Sequence, residues 1–340
     1  MTKRRLPVLA ALLAAALLAG CVPRAQSLAQ RPVPSPTAAA SPAPSPTPGQ
    51  GLGGWQLERT ADQQKYGSAG LLAWPCILFS IYLDEPEGGA VWTDEEIAQS
   101  QQTLATAVDW IEEQAAGYGV TPRLYYGTDD LIAHLGWTAP FVGGTGADEG
   151  PSFREEIENL CTRLDSDTLA QTYGTSSIGF LVFLPVSGCS FTAVHFLEDG
   201  STYYHEYSCL YKENAFFPAG SAESPTVYAH EILHQFGAPD LYSGSNDLYV
   251  TDELVSYVAE NWPDSIMMDT YNPDGTLQYD AIEKSLCPLT AFRLGLTATF
   301  PGIEQFPAAA EDPPGTFRMD PQTDVSRWQD NGAVATAPAA

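Results

Sequence analysis

Positive charge is scarce in this chain: 15 lysines and arginines stand against 42 aspartates and glutamates in 340 residues, a net charge of −27 with histidine neutral. A surface of that sign repels DNA, RNA and anionic lipid headgroups, so nucleic acid is not an expected partner and a basic membrane patch is excluded. Cysteine is sparse as well. None of the six forms a C-x-x-C pair, which leaves a thiol redox centre or a zinc ribbon without support. Long apolar runs are nearly absent; the one from Leu6 to Leu18 is too short to span a bilayer comfortably. No internal repeat or clear linker divides the central stretch of about 250 residues, a length that suits one large domain.

What is present at the ends is equally directional. Lys3, Arg4 and Arg5 precede the apolar run, and Leu18-Ala19-Gly20-Cys21 follows it. A charged start, a short apolar core and a small-residue cleavage site describe a secretory signal over residues 1–20. The L-A-G-C ending resembles a bacterial lipobox, which implies lipidation of Cys21 and a lipid-anchored, extracytoplasmic protein that meets the membrane only through its N-terminal lipid. Without the three leader cations, 12 basic residues face 42 acidic ones, about −30 in the mature chain. Residues 21–54, rich in Pro, Ala and Ser, lack the bulky side chains of a core and read as a semi-extended tether. Residues 308–340 are again poor in packing residues and read as a disordered tail. The folded domain is thus expected over 55–307.

Within that domain the most informative stretch is His230-Glu231-Ile232-Leu233-His234. On a helix, positions i and i+4 share one face, so two imidazoles can grip one metal ion with a carboxylate beside it. Ser224-Pro225 reads as an N-cap followed by proline at the first helical position, and Tyr228, Ile232, Leu233 and Phe236 can bury the helix. Gly237 then favours a left-handed stop and Pro239 forbids further helix. A catalytic zinc wants three protein ligands and one open position. Two carboxylates compete for the third place: Asp240, just after the turn, and Glu253, on an expected helix from Asp252 to Glu260. The shorter span favours Asp240, since Gly237 ends the first helix at once.

The string H-E-x-x-H-x-x-G-x-x-D over His230–Asp240, with Pro239 before the aspartate and Tyr242 two after it, resembles the metzincin zinc peptidases in their aspartate-ligand variant, as in the snapalysin and immune inhibitor A families. The resemblance covers residues 224–296. It implies a zinc ion on His230, His234 and Asp240, Glu231 as general base, and a methionine turn at Ser265-Ile266-Met267-Met268, with Met267 in the key position and Met268 as the alternative. It also implies that Cys287-Pro288 to Gly295 forms a closing helix. Some metzincins place a transition-state tyrosine two residues after that methionine. Here Asp269 fills the position, and Tyr271 is the substitute candidate.

The remaining pattern predicts an α+β domain with a mixed twisted sheet and two long helices: strand Trp74–Leu83, a helix opened by the capping box at Thr93-Asp94-Glu95-Glu96 and running to about Ala116, strand Arg123–Tyr126, a helix from Ser152 to about Ala170, strand Ile178–Leu184, and a hairpin of Phe191–Phe196 with Thr202–Tyr207. Strand and helix in that order resemble the N-terminal lobe of a metzincin, with an edge strand within Gly188–Leu197 on which an extended peptide could pair. Cys189 and Cys209 are nearly symmetric about the hairpin turn Glu198-Asp199-Gly200-Ser201, which makes them the best candidate disulfide. Asn246, Asp247 and Asp252 offer oxygen ligands for calcium, though their spacing matches no defined loop. His134, His195 and His205 are expected in strands or loops without a ligand role. The activity expected is zinc endopeptidase on extracellular protein or peptide substrate. The alternatives are a surface-anchored binding module on a protease-like scaffold, and a zinc hydrolase acting on a non-peptide amide or on peptide termini.

Overall fold

The computed structural model of the protein describes residues 65–141, 151–197 and 204–319. The expected signal, Cys21, the expected tether and the expected hairpin turn fall outside the described residues. Ten consecutive buried or nearly buried residues make β1 (Pro75–Asp84), a strand with no polar face because helices cover it on both sides. Along it Leu78 and Tyr82 join one core cluster, whereas Ile77, Phe79, Ile81 and Leu83 join the other. That alternation is the period-two geometry of a strand separating two hydrophobic layers.

Among the described residues the sheet also contains β2 (Arg123–Tyr125), β3 (Ile132–Gly136), β4 (Ile178–Gly188), β5 (Phe191–Ala193) and β6 (Tyr207–Asn214). Its order is β2–β1–β4–β6–β5, with β3 also paired to β1. All pairings are parallel except β5 with β6, so the sheet is mixed and its antiparallel strand lies at an edge. β3, not anticipated from the sequence, has the polar pattern of an outer strand: His134 bonds Asp84 at 2.9 Å.

On one face lies α1 (Asp94–Gly117), opened by a complete Thr93–Glu96 capping box. Its Leu104, Ala107, Val108 and Ile111 recur at helical spacing and pack with Leu78, Tyr82, Leu181 and Phe183 of the sheet. The other face is covered by α2 (Pro151–Leu164), through Phe153, Ile157, Leu160 and Cys161. The single helix expected to run from Ser152 to Ala170 is broken: Ser166 adopts an extended conformation and caps a second helix, α3 (Asp167–Tyr173), by accepting from Leu169 N–H. Serine caps a helix more favourably than it occupies its middle.

After β6 come α4 (Pro225–His234), α5 (Asp252–Asn261) and α6 (Pro288–Arg293). α4 packs on the same sheet face as α1 through Tyr228, Ala229, Ile232 and Leu233. Residues 308–319, the first part of the expected tail, pack on the domain, and the rest of that tail lies outside the described residues. Ala309, Thr316 and Phe317 are buried. Phe317 pairs with Phe196 in a parallel bridge and Met319 with Asp247 in an antiparallel one, so residues 315–319 form a strap across the edge of the domain. No helix among the described residues is long and apolar enough to cross a membrane.

A candidate metal centre

All ten residues of α4 are buried. Ser224 Oγ accepts from Val227 N–H and Pro225 occupies the first turn, which fixes where the helix starts. Its end is set by Gly237, whose φ of +96° places it in the left-handed region. The Ala238 N–H then bonds back to Leu233 O at 3.2 Å, and the chain folds Asp240 over the preceding turn.

The result is a triangle of donor atoms. His230 Nε2 and His234 Nε2 lie 3.1 Å apart, and Asp240 Oδ1 is 3.2 Å from the first and 3.4 Å from the second. His230 Nδ1 donates to Ile266 O at 2.9 Å and His234 Nδ1 to Ala238 O at 2.7 Å. With those protons committed, both Nε2 lone pairs turn inward. Asp240 Oδ1 is buried and receives no hydrogen bond. Three electron pairs converging in a buried space repel one another unless something positive stands among them.

The electrostatics point the same way. Burial disfavours charge on His230, yet the neighbouring Asp240 and Glu231 carboxylates draw a proton to it and raise its pKa to about 9, so positive charge is favoured where the Nε2 atoms converge. Burial likewise works against the Asp240 carboxylate, but the two histidines hold its pKa at about 2. The group therefore attracts positive charge, and a metal ion held by His230, His234 and Asp240 would satisfy all three donors together.

Glu231 is buried beside this group. Burial raises its pKa, partly countered by His230, His234 and a hydrogen bond from Thr192. Thr192 Oγ1 lies 2.7 Å from Glu231 Oε2. Tyr242 hydrogen-bonds Asp240, and burial and then the Asp240 charge keep its hydroxyl protonated far above the usual range. Met267 is fully buried in a tight turn closed by Met268 N–H on Ser265 O, and its own carbonyl accepts from Leu241 N–H at 2.8 Å. That turn therefore supports two arms of the triangle: Ile266 O orients His230, and Met267 O holds the residue next to Asp240.

The other site candidates fall elsewhere. Glu253 is exposed in the first turn of α5. Tyr271 forms a β-bridge with Leu277 and packs its ring on Phe217, 5.5 Å between centroids; the tyrosine that meets the acidic ligand is Tyr242. Among the described residues no second group of acidic side chains converges as a calcium site would require. Asp247 is taken by a two-pronged ion pair with buried Arg293, and Asp252 accepts from Ser243. The Cys189–Cys209 bridge is not formed. The β5–β6 register sets Cys209 opposite Phe191, two residues past Cys189, and buries its thiol in the lower core with Cys161.

A small cleft, partly open to solvent, borders the triangle and is lined by Thr192, Val194, Phe196, His234, Asp240 and Phe317. Sequence reasoning missed Thr192 and Phe317, since nothing local marks a threonine on an edge strand or a phenylalanine in a polar tail as a neighbour of residues 230–240. Tyr242 carried a signal, its spacing from Asp240, without a role. No family model matches the chain, and no curated protein does.

Proposed function

We propose that the chain is a zinc-dependent endopeptidase with a metzincin-like catalytic domain, acting on peptide bonds outside the cytoplasm. The observation that carries this reading is the buried triangle of His230, His234 and Asp240, whose Nδ1 protons are already committed to backbone carbonyls. Two nitrogens and one carboxylate oxygen suit zinc, which takes such donors at about 2.0–2.2 Å in a four-coordinate shell with one place for water. Calcium and magnesium prefer all-oxygen shells of six or more ligands, so this donor set fits them poorly. Held by His230, His234 and Asp240, a zinc ion would supply Lewis-acid chemistry, acidifying a bound water and polarising a scissile carbonyl.

The side chains of the domain supply the rest. Glu231, with its pKa raised by burial, takes a proton from the attacking water and returns it to the leaving amine nitrogen. Tyr242 braces Asp240 by hydrogen bonding. β5 lies at the sheet edge and its Thr192 lines the cleft, which in this reading is where an extended peptide would lie. The N-terminal lipobox-like residues support a tethered enzyme held at a bacterial surface.

The test is metal analysis together with casein hydrolysis on the soluble form beginning near residue 51. One zinc per chain and chelator-sensitive cleavage, absent in Glu231→Gln, are expected. A protein that binds no zinc, or a Glu231→Gln variant as active as wild type, sinks the proposal.

A further inference from the structure

Glu231 is held from behind by side chains of two neighbouring strands, Thr192 on β5 and Ser208 on β6, with Gln235 bracing Ser208. Gln235, one residue past His234, sends its Nε2 back into the sheet, 3.0 Å from Phe180 O on β4 and 2.7 Å from Ser208 Oγ on β6. Gly179 makes room for it: a Cβ there would stand 2.1 Å from Gln235 Oε1. Ser208 Oγ lies 3.1 Å from Glu231 O and 2.9 Å from Thr192 Oγ1 on β5. Thr192 Oγ1 in turn lies 2.9 Å from Glu231 O and 2.7 Å from Glu231 Oε2. Thr192, Ser208 and Gln235 are all fully buried.

Each hydroxyl has one proton to give, and the acceptors assign them. Gln235 donates to Ser208, Ser208 donates to the Glu231 carbonyl, and the Thr192 proton goes to the nearest and most basic acceptor, Oε2. A hydrogen bond to a carboxylate is the stronger kind. Its effect is to restrict the Glu231 side chain to one rotation while leaving Oε1 unengaged by Thr192.

We propose that Thr192 is a positioning residue for the proton-transfer step, its hydroxyl fixing Glu231 Oε2 so that Oε1 faces the reacting water. This rests on the endopeptidase reading and extends it. Because Thr192 belongs to the edge strand and lines the cleft, the strand on which a peptide docks also holds the base. Catalytic geometry is steep in displacement, so releasing the carboxylate should be felt in turnover more than in binding.

The experiment compares zinc-loaded wild type with Thr192→Val, which keeps the shape and removes the hydroxyl, and Thr192→Ser, which keeps the hydroxyl. Thr192→Val should lower kcat about 10-fold or more with KM within about twofold, and Thr192→Ser should recover most of the loss. Zinc stoichiometry and zinc affinity should match wild type in both. A readout independent of turnover is a stability cycle of Thr192→Val, Glu231→Ala and the double variant. Their effects on the unfolding equilibrium constant should be non-additive by about fivefold. Thr192→Val with kcat within twofold of wild type, zinc loss in that variant, failure of Thr192→Ser to recover activity, or additivity in the cycle overturns the proposal. Wild type without chelator-sensitive cleavage overturns the parent reading as well, so the two failures are told apart.

Discussion

Gly237 and Gly315 meet backbone to backbone: a Cβ at position 237 would stand 2.5 Å from Gly315 Cα. One glycine ends the helix that bears His230 and His234, and the other begins the strap. Gly237→Ala faces this overlap on top of a φ of +96°, which an L side chain rarely adopts. We expect it to destabilise the domain by at least about 2 kcal/mol, read as a lower urea midpoint with unchanged slope. A midpoint equal to wild type would mean that the strap does not rest on Gly237 in solution.

Removal of either acid beside the triangle should have separable effects. Asp240→Ala takes away a donor, and zinc affinity should fall more than about 100-fold by competition with a chromogenic chelator. Glu231→Gln should bind zinc as wild type does and lose about 10²–10⁴-fold in kcat. Loss of zinc in Glu253→Ala with retention in Asp240→Ala would reverse the ligand assignment.

Sequence pattern made some of this legible and left the rest hidden, for physical reasons. Ser224-Pro225, Gly237 and the Thr93–Glu96 box are local signals, since caps and left-handed turns are decided within four residues, and the structure has these features in place. The grouping of His230, His234 and Asp240 was readable because one helical turn and one tight loop suffice to bring them together. Thr192 was not, because its link to Glu231 depends on the β5–β6 register and on how α4 lies against the sheet. The break at Ser166 was misread because a cap and a mid-helix serine look alike without the tertiary partner. Next to the break, His205 bonds Asp165 at 3.1 Å. The strap is not visible in composition because its anchors, Phe317 on Phe196 and the Arg293 contacts to Gly315 and Thr316, are tertiary.

His205 also predicts a pH dependence away from the metal centre. It lies 2.8 Å from Glu158 and 3.1 Å from Asp165. Burial opposes its charge, but hydrogen bonds to Asp165 and Glu158 outweigh that and raise its pKa above the ordinary 6.5. Glu158 is pushed up by burial and brought below its ordinary 4.5 by His205. The raised histidine contributes stability fully below about 6.5 and loses it as pH rises through the folded value; the lowered glutamate contributes above about 4.5 and loses it as pH falls. The stability gap between wild type and His205→Gln should therefore be widest near pH 5.5 and shrink by pH 8.5. A gap that grows with pH contradicts the pairing.

Arg293 clamps the strap from below. Its guanidinium holds Asp247 at 2.6 Å and Thr316 O at 2.9 Å, and its own carbonyl accepts from Gly315 N–H. Both charges are buried, so Arg293→Ala strands a carboxylate and should cost about 3–5 kcal/mol. Arg318, part-exposed in its pair with Asp312, should cost under about 1 kcal/mol when cut to alanine. Limited proteolysis should nick residues 312–319 in the first variant and spare them in the second. Equal sensitivity would remove Arg293 from this role.

The strap also sets an order of assembly. A chain delivered amino end first presents the two imidazoles and Asp240 well before Gly315 is available to settle on Gly237. Until residues 315–319 follow, Gly237 lacks the backbone that packs against it. A product terminated before residue 315 would thus leave the helix that bears His230 and His234 without this contact.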